Sequence, residues 1–237
     1  MDILFLDDWL VAVNKPSGLL VHRSLIDKRE TDFAMQRVRN QLGRRVYPVH
    51  RLDKPTSGIL LFALDPGTAR AVTARFTAGQ VKKTYRAIVR GFPAPAGEID
   101  YALCEALDPL TDARADLDKG PQAATTHFRR LATVELPHGV GRYPTARYAL
   151  VELQPKTGRK HQLRRHLKHI FHPIIGDTTH GDGRHNRFFY ERFDNRRLLL
   201  VATALRLDHP QTGEPLVLTA PPAADFQRIV SALGWDT

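Results

Sequence analysis

Asp53 is the carboxylate in this chain whose neighbours suit it for chemistry. It lies in His50-Arg51-Leu52-Asp53-Lys54-Pro55-Thr56-Ser57-Gly58, between two apolar, strand-like runs. Pro55 fixes its own φ and pushes Lys54 towards an extended backbone. Gly58 permits a backbone angle that other residues resist. Thr56 and Ser57 offer hydroxyls that can bond nearby backbone. An ionised aspartate on a stiff loop, beside positive charge, suits a nucleophile aimed at a polyanion. A hairpin turn with a solvated ion pair has the same composition, and the nine residues alone do not separate the two.

A second stretch runs from Glu152 to Leu167: ELQPKTGRKHQLRRHL. A strand ends, Pro155 and Gly158 make a turn, and an amphipathic helix begins. Helix N-termini attract anions through free N–H groups and the macrodipole. Lys156, Arg159 and Lys160 surround that start, and Arg164, Arg165 and Lys168 continue along the helix. This reads as a phosphate-binding turn, with a solvated helix face as the plainer alternative. Arg164 follows Leu163, which faces the core, so it sits at the edge of the buried face. A guanidinium there can pair with a buried carboxylate and hold it ionised. In Lys83-Thr84-Tyr85-Arg86-Ala87-Ile88-Val89, Tyr85 stands among basic neighbours. Such an aromatic can stack on a base while the charges hold phosphates, or it can be an ordinary core tyrosine.

Other chemistries find less support. His161, His166, His169 and His172 do not share one helical stripe and have no acid between them, so a zinc site is not expected. They read as surface or RNA-facing residues. His180 and His185 fall in a Gly-rich stretch with no better claim. There is no Walker loop, no G-x-G-x-x-G and no G-x-S-x-G elbow. Neither a metal nor an organic cofactor is expected.

Composition narrows the partner. Thirty-five Lys+Arg against twenty-five Asp+Glu leave a net charge of +10 on 237 residues. A clustered surplus of that size favours phosphate backbones. Cys104 is the single cysteine, so no intramolecular disulfide or cysteine-based zinc site can form, which fits a reducing cytoplasm. MDILFLDDWL carries early acids and lacks a basic n-region, so it does not read as a signal peptide. No apolar run approaches the length that spans a bilayer. No membrane partner is expected. The oligomeric state is not readable, and a monomer is the starting assumption.

The elements that must position these groups follow from periodicity. Strands are expected over 3–6, 9–13, 59–64, 83–89, 127–136, 147–153, 198–207 and 216–218, with shorter extended pieces at 19–21 and 46–49. Thr31 or Asp32 can cap a helix running to about Leu42. Asp65-Pro66 opens a second helix, closed by Gly79. Residues 161–171 form the clearest helix, and another runs from about Ala223 to Leu233. Loops are expected over 92–97, 105–123, 138–145 and 176–196. Strands outnumber helices and often follow one another directly, which argues for α+β with a largely antiparallel sheet. No composition shift or repeat divides the chain, so residues 1–237 read as one domain.

Together these stretches resemble the RluA-type pseudouridine synthase family. His50 to Gly58 match its nucleophile motif, and Lys83 to Ala87 with Val89 and Gly91 match its tyrosine motif. Leu153 to Leu167, continuing to His172-Pro173-Ile174-Ile175-Gly176-Asp177, match its third. Val13 to Gly18 and His209 to Leu216 also fit. The resemblance implies a mixed, mostly antiparallel sheet flanked by helices and loops, with a central RNA-binding cleft. The family often carries an N-terminal S4-like domain, and here the chain is expected to start directly in the catalytic domain.

By this resemblance Asp53 is the nucleophile of a uridine-to-pseudouridine isomerisation. Whether it attacks the sugar, attacks the base or assists elimination stays open. Arg164 matches the basic residue that pairs with it. Tyr85 matches a tyrosine that stacks on the base and is a candidate to help remove the C5 proton. Arg51 resembles the arginine that fills the gap left by a flipped base. His50, Lys54, Lys83, Lys156, Arg159, Lys160 and Arg165 join it as expected RNA contacts. Within the family, Val21-His22-Arg23-Ser24, Asp118 to Gln122, Gly141 to Thr145 and Gly181 to Arg187 look most like members acting on uridine 65 of tRNA. Ribosomal RNA is the alternative substrate. One departure is Val201, where the family usually has His. Two other classes remain open: a non-catalytic RNA-binding module, and a glycoside hydrolase, which would need a second acid near Asp53.

Overall fold

The computed structural model describes residues 1–22, 31–104 and 120–235. Arg23, Ser24, Asp118, Lys119 and most of the loop expected over 105–123 lie outside the described residues. The described elements run β1 (Ile3–Leu6), β2 (Leu10–Lys15), α1 (Ala34–Leu42), β3 (Tyr47–Pro48), β4 (Ser57–Ala63), α2 (Pro66–Thr77), β5 (Lys82–Arg90), β6 (Ala96–Asp100), β7 (Thr125–Leu136), β8 (Ala146–Pro155), α3 (Gln162–His169), α4 (Gly183–Phe193), β9 (Leu200–Asp208), β10 (Pro215–Thr219) and α5 (Ala224–Ala232).

One mixed sheet carries the order β1-β2-β4-β9-β5-β8-β7-β6, with β10 on β9 and β3 on β4. Pairing is antiparallel except between β4 and β9. The strand at the centre is therefore one of the last in sequence, and β9 joins the N-terminal strands to the rest.

The alternation of apolar residues along the strands builds two cores, one on each face. On one face α4 and α5 bring Phe189, Phe193, Phe226 and Ile229 onto Ile88, Tyr148 and Val201, and α2 brings Val72 onto Ile59 and Leu205. On the other, α1 packs Ala34 and Val38 on Leu60 and Phe62, and α3 packs Leu163 and Leu167 on Val151 and Leu153. Tyr85 touches the clusters under both α1 and α3. Val201 is fully buried on the α4/α5 face, so an apolar side chain fills core space there.

Most expected elements form within a residue or two. The clearest correction is 176–196, expected to be irregular. It contains α4, capped by Asp182, whose carboxylate accepts the Arg184 N–H. Phe189 and Phe193, four apart, supply its buried stripe. The many polar residues around them mask that spacing. Residues 92–97 do not all form a surface connection, because β6 begins at Ala96. Residues 19–21 contribute only a bridge from Leu20 to Phe33. The N-cap of α1 is Phe33 with no side-chain cap; Asp32 instead pairs with Arg37.

Candidate active site

Asp53 lies in the loop between β3 and β4, on the α1/α3 face. The loop is anchored on both sides of it: Leu52 is buried under α1, Thr56 and Ser57 are buried, and the Thr56 N–H donates to the Asp53 carbonyl at 3.0 Å. The carboxylate itself keeps 29% exposure. A clamp follows β2. Lys15, fully buried, donates from Nζ to the carbonyls of Pro16 (2.9 Å), Leu19 (2.7 Å) and Lys54 (3.1 Å). Ser17 Oγ donates to the Pro55 carbonyl at 2.7 Å, and the Gly18 N–H donates to the Lys54 carbonyl at 2.8 Å. Burial and the charge of Arg197 push the Lys15 ammonium down to about 7, against the opposing pull of Asp53.

Gly58 closes the loop for a steric reason. Its φ is +109°, and a Cβ there would lie 2.1 Å from the Ala202 carbonyl oxygen. The parallel contact between β4 and β9 requires that approach. Arg197 adds a further tie, donating to the Ser57 hydroxyl and to Asp225 at 2.9 Å.

After β8 the chain turns and α3 packs back against the sheet, carrying Arg164 onto Asp53. Nη1 of Arg164 donates to Asp53 Oδ2 at 3.2 Å. Nε and Nη2 grip Asp177 in a fork, at 2.7 and 2.8 Å. Arg164 and Asp177 are 5% and 1% exposed, so this pair lies in the low-dielectric interior, where a lone charge would be costly. Burial pushes the Asp177 carboxyl up. The bonds and charge of Arg164, with the His180 and Thr179 N–H groups, outweigh it and hold the carboxyl below its usual range. Burial likewise works against the Arg164 charge, and the two carboxylates more than restore it. Asp177 thus aims Arg164, and Arg164 positions Asp53.

Tyr85 stands close enough for Asp53 to act on its phenol. Burial first, then that negative charge, push the hydroxyl well above its ordinary range, so it stays protonated and can donate. His161, with φ +57°, places Nε2 3.9 Å from Asp53 Oδ2, beyond hydrogen-bond length. Its Nδ1 meets His180 Nε2 at 3.0 Å. Burial lowers both imidazoles, His180 to about 4.

The structure therefore joins Asp53, Arg164 and Tyr85, and it redistributes the expected RNA contacts. Arg51 is exposed, and its guanidinium makes no hydrogen bond or ion pair among the described residues. Lys156 is exposed, and Lys54 and Lys160 are half-buried beside the loop and the turn. Arg159 and Arg165 donate to the carbonyls of Ala123 and Cys104, at 3.3 and 2.8 Å. Lys83 donates to the Thr157 carbonyl at 3.0 Å, and burial lowers its ammonium.

His50 is a correction. Its Nε2 accepts the Leu61 N–H at 3.0 Å, and its ring stacks on Phe76. Burial, with the charge of Lys83, pushes it down to about 4, against a backbone bond with Arg51. It serves the scaffold as a neutral ring rather than presenting charge to RNA. The turn before α3 is altered too. Gln162 accepts the Arg159 N–H (3.0 Å) and the Thr157 hydroxyl (2.7 Å), so one N–H expected to face an anion is already taken. His166, expected at the surface or facing RNA, is buried between Thr126 Oγ1 and the Tyr101 carbonyl.

Sequence reasoning missed Asp177, Lys15, Gln162 and the His161–His180 contact. Asp177 had a usable signal: an arginine beside the buried face of a helix needs a counter-charge, and Asp177 is the first acid after α3. Lys15 follows Asn14 at the end of a strand that opens with four apolar residues, but nothing local shows that one of its partners comes from the loop near residue 54.

Comparison with known proteins gives a consistent result. The family described as RNA pseudouridylate synthase matches residues 9–169. A protein of Pectobacterium carotovorum subsp. carotovorum named tRNA pseudouridine synthase C is 55% identical over 99% of the chain, which spans 62% of that relative. The protein of the same name from Vibrio cholerae serotype O1 is 53% identical over 99% of the chain, which spans 96% of it. Among solved structures, human RNA pseudouridylate synthase domain containing 4 superposes with a TM-score of 0.72 at 29% identity, covering 98% of this chain and 92% of that one.

Proposed function

The chain belongs to the RNA pseudouridylate synthase family, and from that premise we propose that it converts a uridine of tRNA to pseudouridine with Asp53 as the reacting carboxylate. Family membership makes it an isomerase. The bond between C1′ and N1 breaks, a bond between C1′ and C5 forms, C5 loses a proton and N1 gains one. Nothing is oxidised, and no co-reactant enters the balance.

One observation carries the assignment to Asp53: this partly exposed carboxylate is held at 3.2 Å by a buried arginine that is itself locked by a second, buried carboxylate. A surface ion pair needs no such backing. Each role open to the carboxylate, at the sugar, at the base or in elimination, requires it to be held still against a target drawn out of its stack. Tyr85 supports the reading as a ring between the two halves of the core with a protonated hydroxyl near Asp53. The +10 charge supports RNA as the partner. The names of the relatives support tRNA, and the motifs at 141–145 and 181–187 support uridine 65. A tRNA substrate also supports a cytoplasmic location. Among the described residues no helix is long and apolar enough to cross a membrane.

The test uses tRNA labelled with tritium at uridine C5. The wild-type protein releases the label, and Asp53→Asn does not, while still binding tRNA. Continued release by the variant overturns the role of Asp53. Binding without release by the wild type makes the chain an RNA-binding module. Mapping pseudouridine in cells that lack the protein tests the substrate: loss at position 65 of tRNA supports the reading, and loss in ribosomal RNA refutes it.

A further inference from the structure

The C-terminus of α3 ends in an arrangement that places an apolar ring in solvent at a backbone angle unfavourable to it. The His172 N–H donates to the Leu167 carbonyl at 2.8 Å and the Phe171 N–H to the Lys168 carbonyl at 3.0 Å. These two bonds are the Schellman pattern, with Phe171 at the left-handed position that glycine usually fills. Phe171 has φ +64°, a conformation unfavourable to a residue with a Cβ. Phe171 is 78% exposed, the most exposed large apolar residue described. The apolar contact that often accompanies this motif comes from the following residue, so the ring is not needed to close the helix. The conformation is held regardless: Arg90 donates to the Phe171 carbonyl at 3.2 Å, and His172 Nδ1 lies 2.8 Å from the Arg90 carbonyl oxygen.

The position of the ring suggests its use. Arg164 and Lys168 stand at i and i+4 on one stripe of α3, and Phe171 follows two residues beyond the helix's last residue, His169. That stripe begins on Asp53 through Arg164 and surfaces at the exposed Lys168, whose carbonyl accepts the Phe171 N–H. Lys168 lies near enough to the site for its charge to act on His180. The five steps from Arg164 to His169, the helix's last residue, rise roughly 7–8 Å along the axis, and Phe171 follows just beyond that end.

Building on the tRNA reading above, we infer that Phe171 is an RNA-stacking residue, holding a nucleotide near the target uridine while Lys168 takes the adjoining phosphate. An aromatic face beside a cation is how single-stranded nucleotides are gripped without sequence readout.

The test separates ring from backbone. Phe171→Ala and Phe171→Gly both remove the ring, but glycine accepts the left-handed angle. Both should raise KM for tRNA about fivefold or more, with kcat within about twofold of wild type. Phe171→Trp should keep KM within about twofold, because a larger ring stacks as well. The Gly variant should melt no lower than the Ala variant, so its raised KM is not a folding defect. Val217→Ser, a change at an exposed apolar residue on β10, serves as the control that moves neither constant. A Phe171→Gly protein with wild-type KM overturns the inference. If the wild type releases no tritium, the proposed activity fails instead, and direct titration with tRNA still decides the role of Phe171: equal Kd for wild type and Phe171→Gly overturns it.

Discussion

Replacing Asp177 with asparagine keeps its shape and removes its charge, and the cost can be worked from the geometry. Asp177 is 1% exposed and Arg164 5%, so solvent cannot replace the lost partner. Removing one side of a buried ion pair costs ~3–5 kcal/mol. Two features soften the loss. Asp53 remains 3.2 Å from Nη1 of Arg164, and the asparagine oxygen can still accept one of the two N–H groups. The lower end, about 3 kcal/mol, is therefore expected. For a chain of this size that corresponds to a fall in Tm of roughly 6–12 °C. The freed guanidinium also shifts relative to Asp53, and a displacement near 1 Å costs about 10²-fold in kcat.

Calorimetry or urea unfolding measures the first effect, and single-turnover release of tritium from uridine C5 the second. The pH dependence has a definite sign. The folded carboxyl of Asp177 lies below its ordinary value, so the unfolded chain takes up this proton first as pH falls. Its contribution is complete well above the unfolded value, about 3.9, and is lost as pH drops through the folded value. The stability gap between wild type and Asp177→Asn should therefore narrow below about pH 4. A double-mutant cycle with Arg164→Met isolates the pair. Additivity within about 0.5 kcal/mol would refute the claim that Asp177 aims Arg164.

Two further substitutions probe the loop around Asp53. Gly58→Ala should abolish the folded protein, because the new Cβ would sit 2.1 Å from the Ala202 carbonyl oxygen at a φ of +109°; circular dichroism and soluble yield report this, and a folded, active variant contradicts the steric argument. Arg51→Ala removes an exposed guanidinium with no partner among the described residues. It should leave stability within about 0.5 kcal/mol while weakening tRNA binding and flattening its salt dependence; an unchanged salt slope removes Arg51 from the interface.

Much of this protein is written locally. Strand alternation in β4, β5 and β8, the Asp65-Pro66 helix start and the stripe of Leu163 and Leu167 in α3 are short-range patterns, and the elements formed where they stand. The stiffness of the Asp53 loop is also local, because Pro55 and Gly58 act on their own backbone angles. Residue types and charge marked Asp53, Tyr85 and Arg164 as the groups worth watching. The failures share a cause. His50 read as an RNA contact and His166 as a surface or RNA-facing residue, yet tertiary packing gives His50 the Leu61 N–H and the Phe76 ring, and His166 the Thr126 hydroxyl and the Tyr101 carbonyl. Phe189 and Phe193 were hidden within a polar stretch because their core comes from β8 and β9.

Only the tertiary structure decided what surrounds Asp53. The arginine that holds it is 111 positions away, and the lysine clamping its loop comes from 39 positions before Lys54, whose carbonyl it holds. The acid that steadies its arginine lies beyond the end of the helix. No local pattern encodes such pairings, because a buried charge finds its partner through the fold. Sequence by itself supplied the reactive groups and the elements that carry them. The sheet order, with late-arriving β9 between β4 and β5, and the return of α3 across the α1/α3 face assembled them into one site.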